Sequence, residues 1–254
     1  MDQRIAFVTC ERLPDIHGDD RLVANALQHG GFQVTAAVWN DPAVDWRQFA
    51  SVVIRTAWDY HLDDARYTAW LRRCETEEVN LWNPAATVLA NLDKRYLAGF
   101  ANAGVPIVPI EYVERGQRQL DEELMRRSLL VQPFADEIVT SGEWSVVFFD
   151  GEYSHAVLKK PASGDFRVQE ELGGHGEPRD PSPAIVEQAR LVLSHAPTPL
   201  LYARVDGIER DGGFVLMELE INEPFLYIGS SSGAAKRFAD AIVRTIAGTR
   251  SRPS

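Results

Sequence analysis

The stretch from Leu201 to Ile228, LYARVDGIERDGGFVLMELEINEPFLYI, constrains the fold more than any other part of the chain. It reads as two strands, Leu201 to Arg210 and Phe214 to about Asn222, joined by Asp211-Gly212-Gly213, residues that tolerate the positive φ of a tight turn. Val215, Met217, Leu219 and Ile221 alternate with Leu216, Glu218, Glu220 and Asn222. That period predicts one apolar face and one face carrying two carboxylates and an amide. With a three-residue loop, Arg210 pairs with Phe214. Counting back then sets Asp206 opposite Glu218 and Arg204 opposite Glu220. Same-face neighbours on a strand lie about 6.5–7 Å apart, so three acids and one arginine are expected to share a face.

Crowded carboxylates cost free energy unless cations neutralise them. The donors are all oxygens, with no Cys or His nearby, which favours a hard ion: Mg²⁺ with phosphate oxygens, or Mn²⁺ in its place. The plainer reading is a solvated polar face on a half-exposed sheet, and E-L-E alone would favour it. The acid on the partner strand tips the balance towards a magnesium–nucleotide site at Asp206, Glu218 and Glu220.

The chain has 254 residues, enough for one large or two small domains. Its net charge of -11 argues against nucleic acid and anionic membrane as partners and leaves a small molecule as the expected one. Cys10 and Cys74 form no C-x-x-C, and the six histidines are scattered, so neither a disulfide framework nor structural zinc is expected. There is no apolar run of membrane length and no signal-peptide core, and a cytoplasmic protein is predicted.

Taken in order, Arg4 to Cys10, Gln33 to Trp39 and Ser51 to Arg55 read as strands. A helix from Asp19 to His29 follows the first, with Leu22, Ala26 and His29 on one side. This order predicts a parallel α/β layer without the G-x-G-x-x-G of a dinucleotide fold. Ligands gather beyond the carboxyl ends of such strands, which makes Arg55, Asp59 and Tyr60 in RTAWDYH candidate substrate contacts. A turn held by Asp59 is an equal alternative. Helices are predicted over Asp63 to Glu78, Asn91 to Ala103 with Lys94 in its first turn, and Gln119 to Arg127. Further helices are predicted over Pro183 to His195 and Gly233 to Ala247. Leu129 to Phe134 reads as a buried strand, and Ser145 to Phe149 with Tyr153 to Leu158 as a hairpin about Asp150-Gly151.

Together these residues resemble the ATP-grasp superfamily of ligases, in the glutathione synthetase and ribosomal-protein-modifying glutamate ligase branch. Asp206 with Glu218-x-Glu220 is similar to the family's metal-binding end, and Pro224 stands where E-x-N-x-x-x-P has its proline. NLDKRYL before GVPIVP resembles the segment whose lysine contacts nucleotide phosphate, a role implied for Lys94. LLVQPF resembles the adenine hinge, implying that Gln132 and Phe134 flank the base, and Glu143 in G-E-W-S matches an acid used on the ribose. GDFRVQEELGG resembles the loop G-x-x-R-x-N…GG, with Gln169 in place of the asparagine. It implies that Arg167 meets the acceptor carboxylate or its acyl phosphate, as Arg204 could. The whole run is most similar to the cyclo-ligases of cycloserine biosynthesis and their relatives.

The resemblance implies an ATP-grasp fold behind a Rossmann-like pre-ATP-grasp domain. Residues 1–82 would form that domain, 83–128 a linker helix and small-lobe remnant, and 129–254 the nucleotide- and metal-binding domain. It also implies ATP with two Mg²⁺, a small amino-acid-like carboxylate activated as an acyl phosphate, and leaves a homodimer open. One part of the pattern is absent: no V-x-K-P strand, glycine-rich flap and helix lie between Tyr112 and Leu130. Lys159-Lys160-Pro161 resembles the motif but follows the wrong strand. Either a mobile stretch between Glu114 and Leu130 is missing from this sequence, the favoured reading because the metal and loop residues survive, or the ligase is degenerate. The rival functions are a catalytically silent nucleotide-binding relative and a magnesium-dependent phosphatase or kinase.

Overall fold

The computed structural model describes residues 3–113, 129–162 and 175–249. Arg167, its flanking glycines, the helix expected over Gln119 to Arg127 and most of the stretch between Glu114 and Leu130 lie outside the described residues.

The first layer comprises β1 (Arg4–Thr9), α1 (Gly18–His29), β2 (Gln33–Val38), β3 (Ser51–Ile54), α2 (Asp64–Thr76) and β4 (Leu81–Trp82). Its strands lie in the order β2-β1-β3-β4, all parallel, as the strand–helix alternation predicts. The His17 ring accepts the Asp19 N–H at α1's first turn, where Asp19 and Asp20 also face the positive end of the helix. The buried stripe is Val23, Ala24 and Leu27. It is rotated from the expected Leu22–Ala26–His29 line, because α1 must face both β1 and a helix from the far end of the chain; Leu22 is exposed.

Next come α3 (Ala85–Asn91), α4 (Tyr96–Asn102), β5 (Glu111–Val113), β6 (Leu129–Val131) and α5 (Glu137–Thr140). Two expectations fail here. The helix expected over Asn91 to Ala103 is shorter: Asn91 closes α3, α4 begins only at Tyr96, and Lys94 lies in the link between them rather than in a first turn. Asp93 accepts the backbone N–H of Arg95 at 3.0 Å, a local bond that competes with the helix, while Asn91 is spent on the Leu219 carbonyl at 3.0 Å. The buried strand over Leu129 to Phe134 is only the three-residue β6, paired among the described residues with β5 alone, and Phe134 is 55% exposed. Pro133 carries no N–H to extend the ladder.

The second layer is built from β7 (Glu143–Phe149), β8 (Glu152–Lys160), β9 (His175–Pro178), α6 (Pro183–Ser194), β10 (Tyr202–Arg210), β11 (Gly213–Glu220) and α7 (Ala234–Thr249). Its sheet runs β11-β10-β7-β8-β9, antiparallel throughout. The β7–β8 hairpin turns at Asp150 (φ 53°) and Gly151 (φ 78°), as its sequence predicts. α6 packs on one face of the sheet, burying Ile185, Ala189 and Val192 against Val146, Phe148 and Phe214. α7 lies between the two layers: Phe238 stacks on Phe149 at 4.6 Å, and Phe238 and Ile242 share one core with Ile5, Phe7 and Val53. Burying each such side chain contributes about 1.5–3 kcal/mol, and this continuous core fixes the layers against each other.

Candidate active site

The β10–β11 hairpin sets the site. Asp206 faces Glu218 and Arg204 faces Glu220, the expected pairing, but the chain reaches it by another route. The loop has two residues, Asp211 and Gly212, both at positive φ (53° and 76°), and Arg210 pairs with Gly213. A bulge between Asp206 and Gly207 then leaves Met217 as an extra residue on β11 and restores the count. The bulge also breaks the expected alternation. Phe214 and Leu216 face the core before it, Leu219 and Ile221 after it, and Met217 joins Glu218 and Glu220 on the other side. Gly207 makes this turn of face available: a Cβ there would lie 2.4 Å from Phe214 Cζ and 2.5 Å from the Val215 carbonyl oxygen.

Over this face opens a cleft of about 690 Å³. On its floor Asp206 is 2% exposed and accepts from Ser145 Oγ at 2.6 Å, Arg204 Nε at 3.0 Å and Arg204 Nη2 at 2.8 Å. Arg204 also reaches Glu220 Oε2 at 3.3 Å and the Phe225 carbonyl at 3.0 Å. Lys159 Nζ donates to Glu143 Oε1 at 2.6 Å and stands 3.4 Å from Asp206 Oδ2. Burial would raise the Asp206 carboxyl, but Arg204 and Lys159 outweigh it and hold it well below the usual carboxylate range. Burial raises Glu143, with Lys159 opposing. For Lys159, burial is overcome by the two acids, and its ammonium is held above the usual lysine range.

The structure brings Gln132, Glu143, Arg204, Asp206, Glu218 and Glu220 to this one cleft. Lys94 lines a neighbouring cavity of about 670 Å³ and pairs with Glu218. Phe134 is on the surface. The three residues of the RTAWDYH turn are placed apart. Arg55 is 2% exposed, bound to Asp20 Oδ1 at 2.8 Å and to the Pro224 carbonyl at 3.0 Å. Asp59 accepts the Trp39 indole N–H at 2.7 Å, and Tyr60 lines the neighbouring cavity with Lys94. Asn222 is buried and accepts from Tyr67 Oη at 2.6 Å, so it serves packing.

Six cleft residues, Met217 aside, escape the sequence reading: Lys159, His17, Trp58, Glu223, Phe225 and Tyr227. Lys159-Lys160-Pro161 gave a signal without a position. A straight count from the Asp150-Gly151 turn sets Leu158 opposite Glu143, but a bulge after Val147 brings Lys159 there instead. Glu223 lies three residues past Glu220, beyond the alternating run.

As oxygens alone, Asp206, Glu218 and Glu220 suit a hard divalent cation in kind. In this structure each of them touches a cation of the chain itself. No three His, Cys, Asp or Glu side chains among the described residues surround one point closely enough to hold a metal. Seating an ion there requires Lys94 and Arg204 to yield part of their contacts. Among the described residues no helix is long and apolar enough to cross a membrane.

Comparison with known proteins places this architecture. Residues 5–83 match the family model for the N-terminal domain of the D-cycloserine synthetase DcsG. The cycloserine biosynthesis protein DcsG of Streptomyces lavendulae is 29% identical over 295 residues, covering 95% of this chain and 98% of that protein. Because that alignment is longer than the 254-residue chain, it includes positions at which this chain has no residue. The crystal structure of D-cycloserine synthetase DcsG superposes with a TM-score of 0.83 at 27% identity, covering 96% of this chain and 99% of that one. The fold is also that of the ATP-grasp ligase PsnB, in a structure with a precursor variant, Mg and ADP (TM-score 0.63, 14% identity, 96% and 99% covered). D-alanine–D-alanine ligase from Bacillus anthracis shares it too (TM-score 0.62, 13% identity, 98% of each chain covered).

Proposed function

We propose, from the premise that the chain is a DcsG-like ATP-grasp ligase, that it joins a carboxylate to an amine, between two molecules or within one, through an acyl phosphate. A carboxylate oxygen of a small amino-acid-like substrate attacks the γ-phosphorus of ATP. The bond from that phosphorus to the bridging oxygen breaks, and ADP leaves. The amine lone pair then attacks the acyl carbon, the carbon–oxygen bond to phosphate breaks, and phosphate leaves as the amine proton passes to solvent. ATP and magnesium enter this reading from related folds, since structures of PsnB carry Mg and ADP and one of D-alanine–D-alanine ligase carries ATP.

The observation that carries the proposal is the register Asp206–Glu218 and Arg204–Glu220 beneath one cleft that also holds Glu143 and Lys159. Asp206, Glu218 and Glu220 would hold two magnesium ions, which when bound neutralise charge on phosphate oxygens. Lys94, paired with Glu218, would exchange it for a phosphate oxygen and so add fixed positive charge to the site. Gln132 and Phe134 would flank the base and Glu143 would take the ribose hydroxyls. Arg204, with Arg167 from outside the described residues, would hold the acyl-phosphate oxygens. Arg55, Asp59 and Tyr60 would shape the substrate end only through the turn they brace. In this reading residues 1–82 shape the substrate side, and 129–254 bind nucleotide and metal.

The experiment is ADP release with magnesium and ATP across a panel of amino acids and amines. One or more members should stimulate release, and Glu218→Gln should lower it by about a hundredfold or more while far-ultraviolet circular dichroism stays unchanged. Turnover retained in that variant, or ATP bound without turnover under every amino acid tried, overturns the proposal.

A further inference from the structure

Glu218 and Glu220 ride on an edge. β11 is the outermost strand of its sheet, and an outer strand leaves half of its peptide groups without a ladder partner. Other parts of the chain cover that edge. At Leu216 the cover is backbone: the Leu216 N–H meets the Pro106 carbonyl at 2.8 Å, and the Val108 N–H meets the Leu216 carbonyl at 3.0 Å. At Ile221 the carbonyl accepts from Asn83 Nδ2 at 2.7 Å. Between them lies Leu219, the residue that separates the two acids, and its cover is made of two side chains. Tyr96 Oη accepts the Leu219 N–H at 3.0 Å and donates to the Leu219 carbonyl at 3.0 Å. Asn91 Nδ2 donates to the same carbonyl at 3.0 Å. A phenol hydroxyl can serve as donor and acceptor at once. Burial holds the Tyr96 phenol above the usual tyrosine range, so Oη keeps the proton that it donates.

Asn91 closes α3 and Tyr96 opens α4, so these two residues are the ends of the link 92–95. Both ends of the link are therefore tied to one residue of β11. Inside it the Asp93 carbonyl accepts the Tyr96 N–H at 3.1 Å, and from β5 Tyr112 Oη donates to the Lys94 carbonyl at 3.0 Å. From this fastened link Lys94 reaches Glu218, the chain neighbour of Leu219. Covering an edge does not by itself require this arrangement. The cover at Leu216 is a passing stretch of backbone, Pro106 to Val108, that carries no charged side chain.

We propose that Asn91 and Tyr96 are positioning residues: by fastening both ends of the 92–95 link to Leu219, they hold Lys94 and the Glu218–Glu220 acids in one fixed relation. The acids and the lysine would otherwise belong to two elements free to slide past each other at an open sheet edge. What that relation serves, magnesium and phosphate, rests on the ligase reading; the fastening itself does not. Partners behind a ligand side chain act in this way by orienting it.

The test uses the full chain, Tyr96→Phe and two readouts. The first is independent of turnover. A water-soluble carbodiimide joins an amine to a carboxylate in contact with it, with loss of water, and mass spectrometry counts the Lys94–Glu218 cross-link. The exposed Lys236–Asp240 pair, 2.6 Å apart on α7, calibrates the reagent. Losing the Tyr96 hydroxyl should lower the calibrated yield about threefold or more, with far-ultraviolet circular dichroism unchanged. The second readout is stimulated ADP release. The magnesium concentration for half-maximal rate should rise about tenfold, roughly 1.4 kcal/mol, while KM for the stimulating amino acid stays at the wild-type value. If Tyr96→Phe does not fold, Asn91→Leu, which removes one of the three bonds, carries the same test with a smaller shift in the same direction. An unchanged cross-link yield overturns the proposal. So does a lowered urea midpoint with the magnesium requirement unchanged, which would make the two side chains edge cover and nothing more. If no amino acid stimulates ADP release from the wild type, the ligase reading falls, and the cross-link yield alone still decides whether the link is fastened.

Discussion

Arg55–Asp20 and Arg204–Asp206 are both buried arginine–aspartate pairs, yet they are finished in opposite ways. The Arg55 guanidinium sits between the Tyr202 and Phe238 rings, 5.3 Å and 5.6 Å from their centroids, and both partners are at most 4% exposed. Its remaining donors reach the Ile54 and Pro224 carbonyls, so the pair is one to one and closed. It ties α1 to the segment that follows β11. Asp206 instead shares Arg204 with Glu220 and Lys159 with Glu143, and one side of that set opens on the cleft. A closed pair can only brace. An open set with more acid than base can trade partners with a ligand. The sequence places both arginines after buried strand residues and does not distinguish them; burial by Phe238, more than 180 positions away in the chain, does.

The largest effect that separates them is on stability. Arg55→Met leaves Asp20 buried without its cation and should cost about 3–5 kcal/mol, read as a lower urea midpoint. Adding Asp20→Leu should recover most of that loss, because an apolar pair needs no solvation. If the double variant is as unstable as the single one, Arg55 is not a closed brace. A smaller loss is expected at the bulge. Gly207→Ala forces a methyl against Phe214 and the Val215 carbonyl, which should cost about 1–3 kcal/mol. It should also abolish stimulated ADP release by moving Asp206 relative to Glu218, without changing the Arg55 pair. A variant with wild-type stability and turnover would mean that the bulge does not set the cleft.

Much of this layout was legible in the chain, and the failures have identifiable causes. The parallel layer follows from strand–helix alternation, and both hairpins follow from Asp-Gly turns. The pairing of Asp206 with Glu218 was reached through two errors that cancel: a loop counted one residue too long and an unseen bulge at Met217. A bulge leaves little local trace in side-chain chemistry, which is also why the pairing of Lys159 with Glu143 is not legible in the chain. The helix expected over Asn91 to Ala103 begins only at Tyr96 because Asp93 satisfies the Arg95 N–H from its side chain, a competition that apolar spacing does not record. Glu223, Phe225 and Tyr227 lie beyond the last strand, where no periodicity applies. Only the approach of Trp58 and His17 from the first layer gives them a shared wall.

The finest distinction between the closed and open sets is their response to pH. Burial, then the charge of Glu220, pushes the Glu223 carboxyl up to about 8, against roughly 4.3 for an unfolded glutamate. The folded chain therefore holds this proton more tightly than the unfolded one. The stability it contributes is fully present below about pH 4.3 and is lost as pH rises towards 8. Glu223→Gln removes that titration, so the variant's stability should fall less steeply than the wild type's between about pH 5 and 8. The variant should gain on the wild type as pH rises, read as a widening difference in urea midpoint. Asp206 acts with the opposite sign: its lowered pKa gives stability present above the unfolded value of about 3.9 and lost on further acidification. It therefore contributes no slope in the window where Glu223 titrates. Parallel stability curves for wild type and Glu223→Gln across pH 5 to 8 would mean that Glu223 is already ionised and compensated.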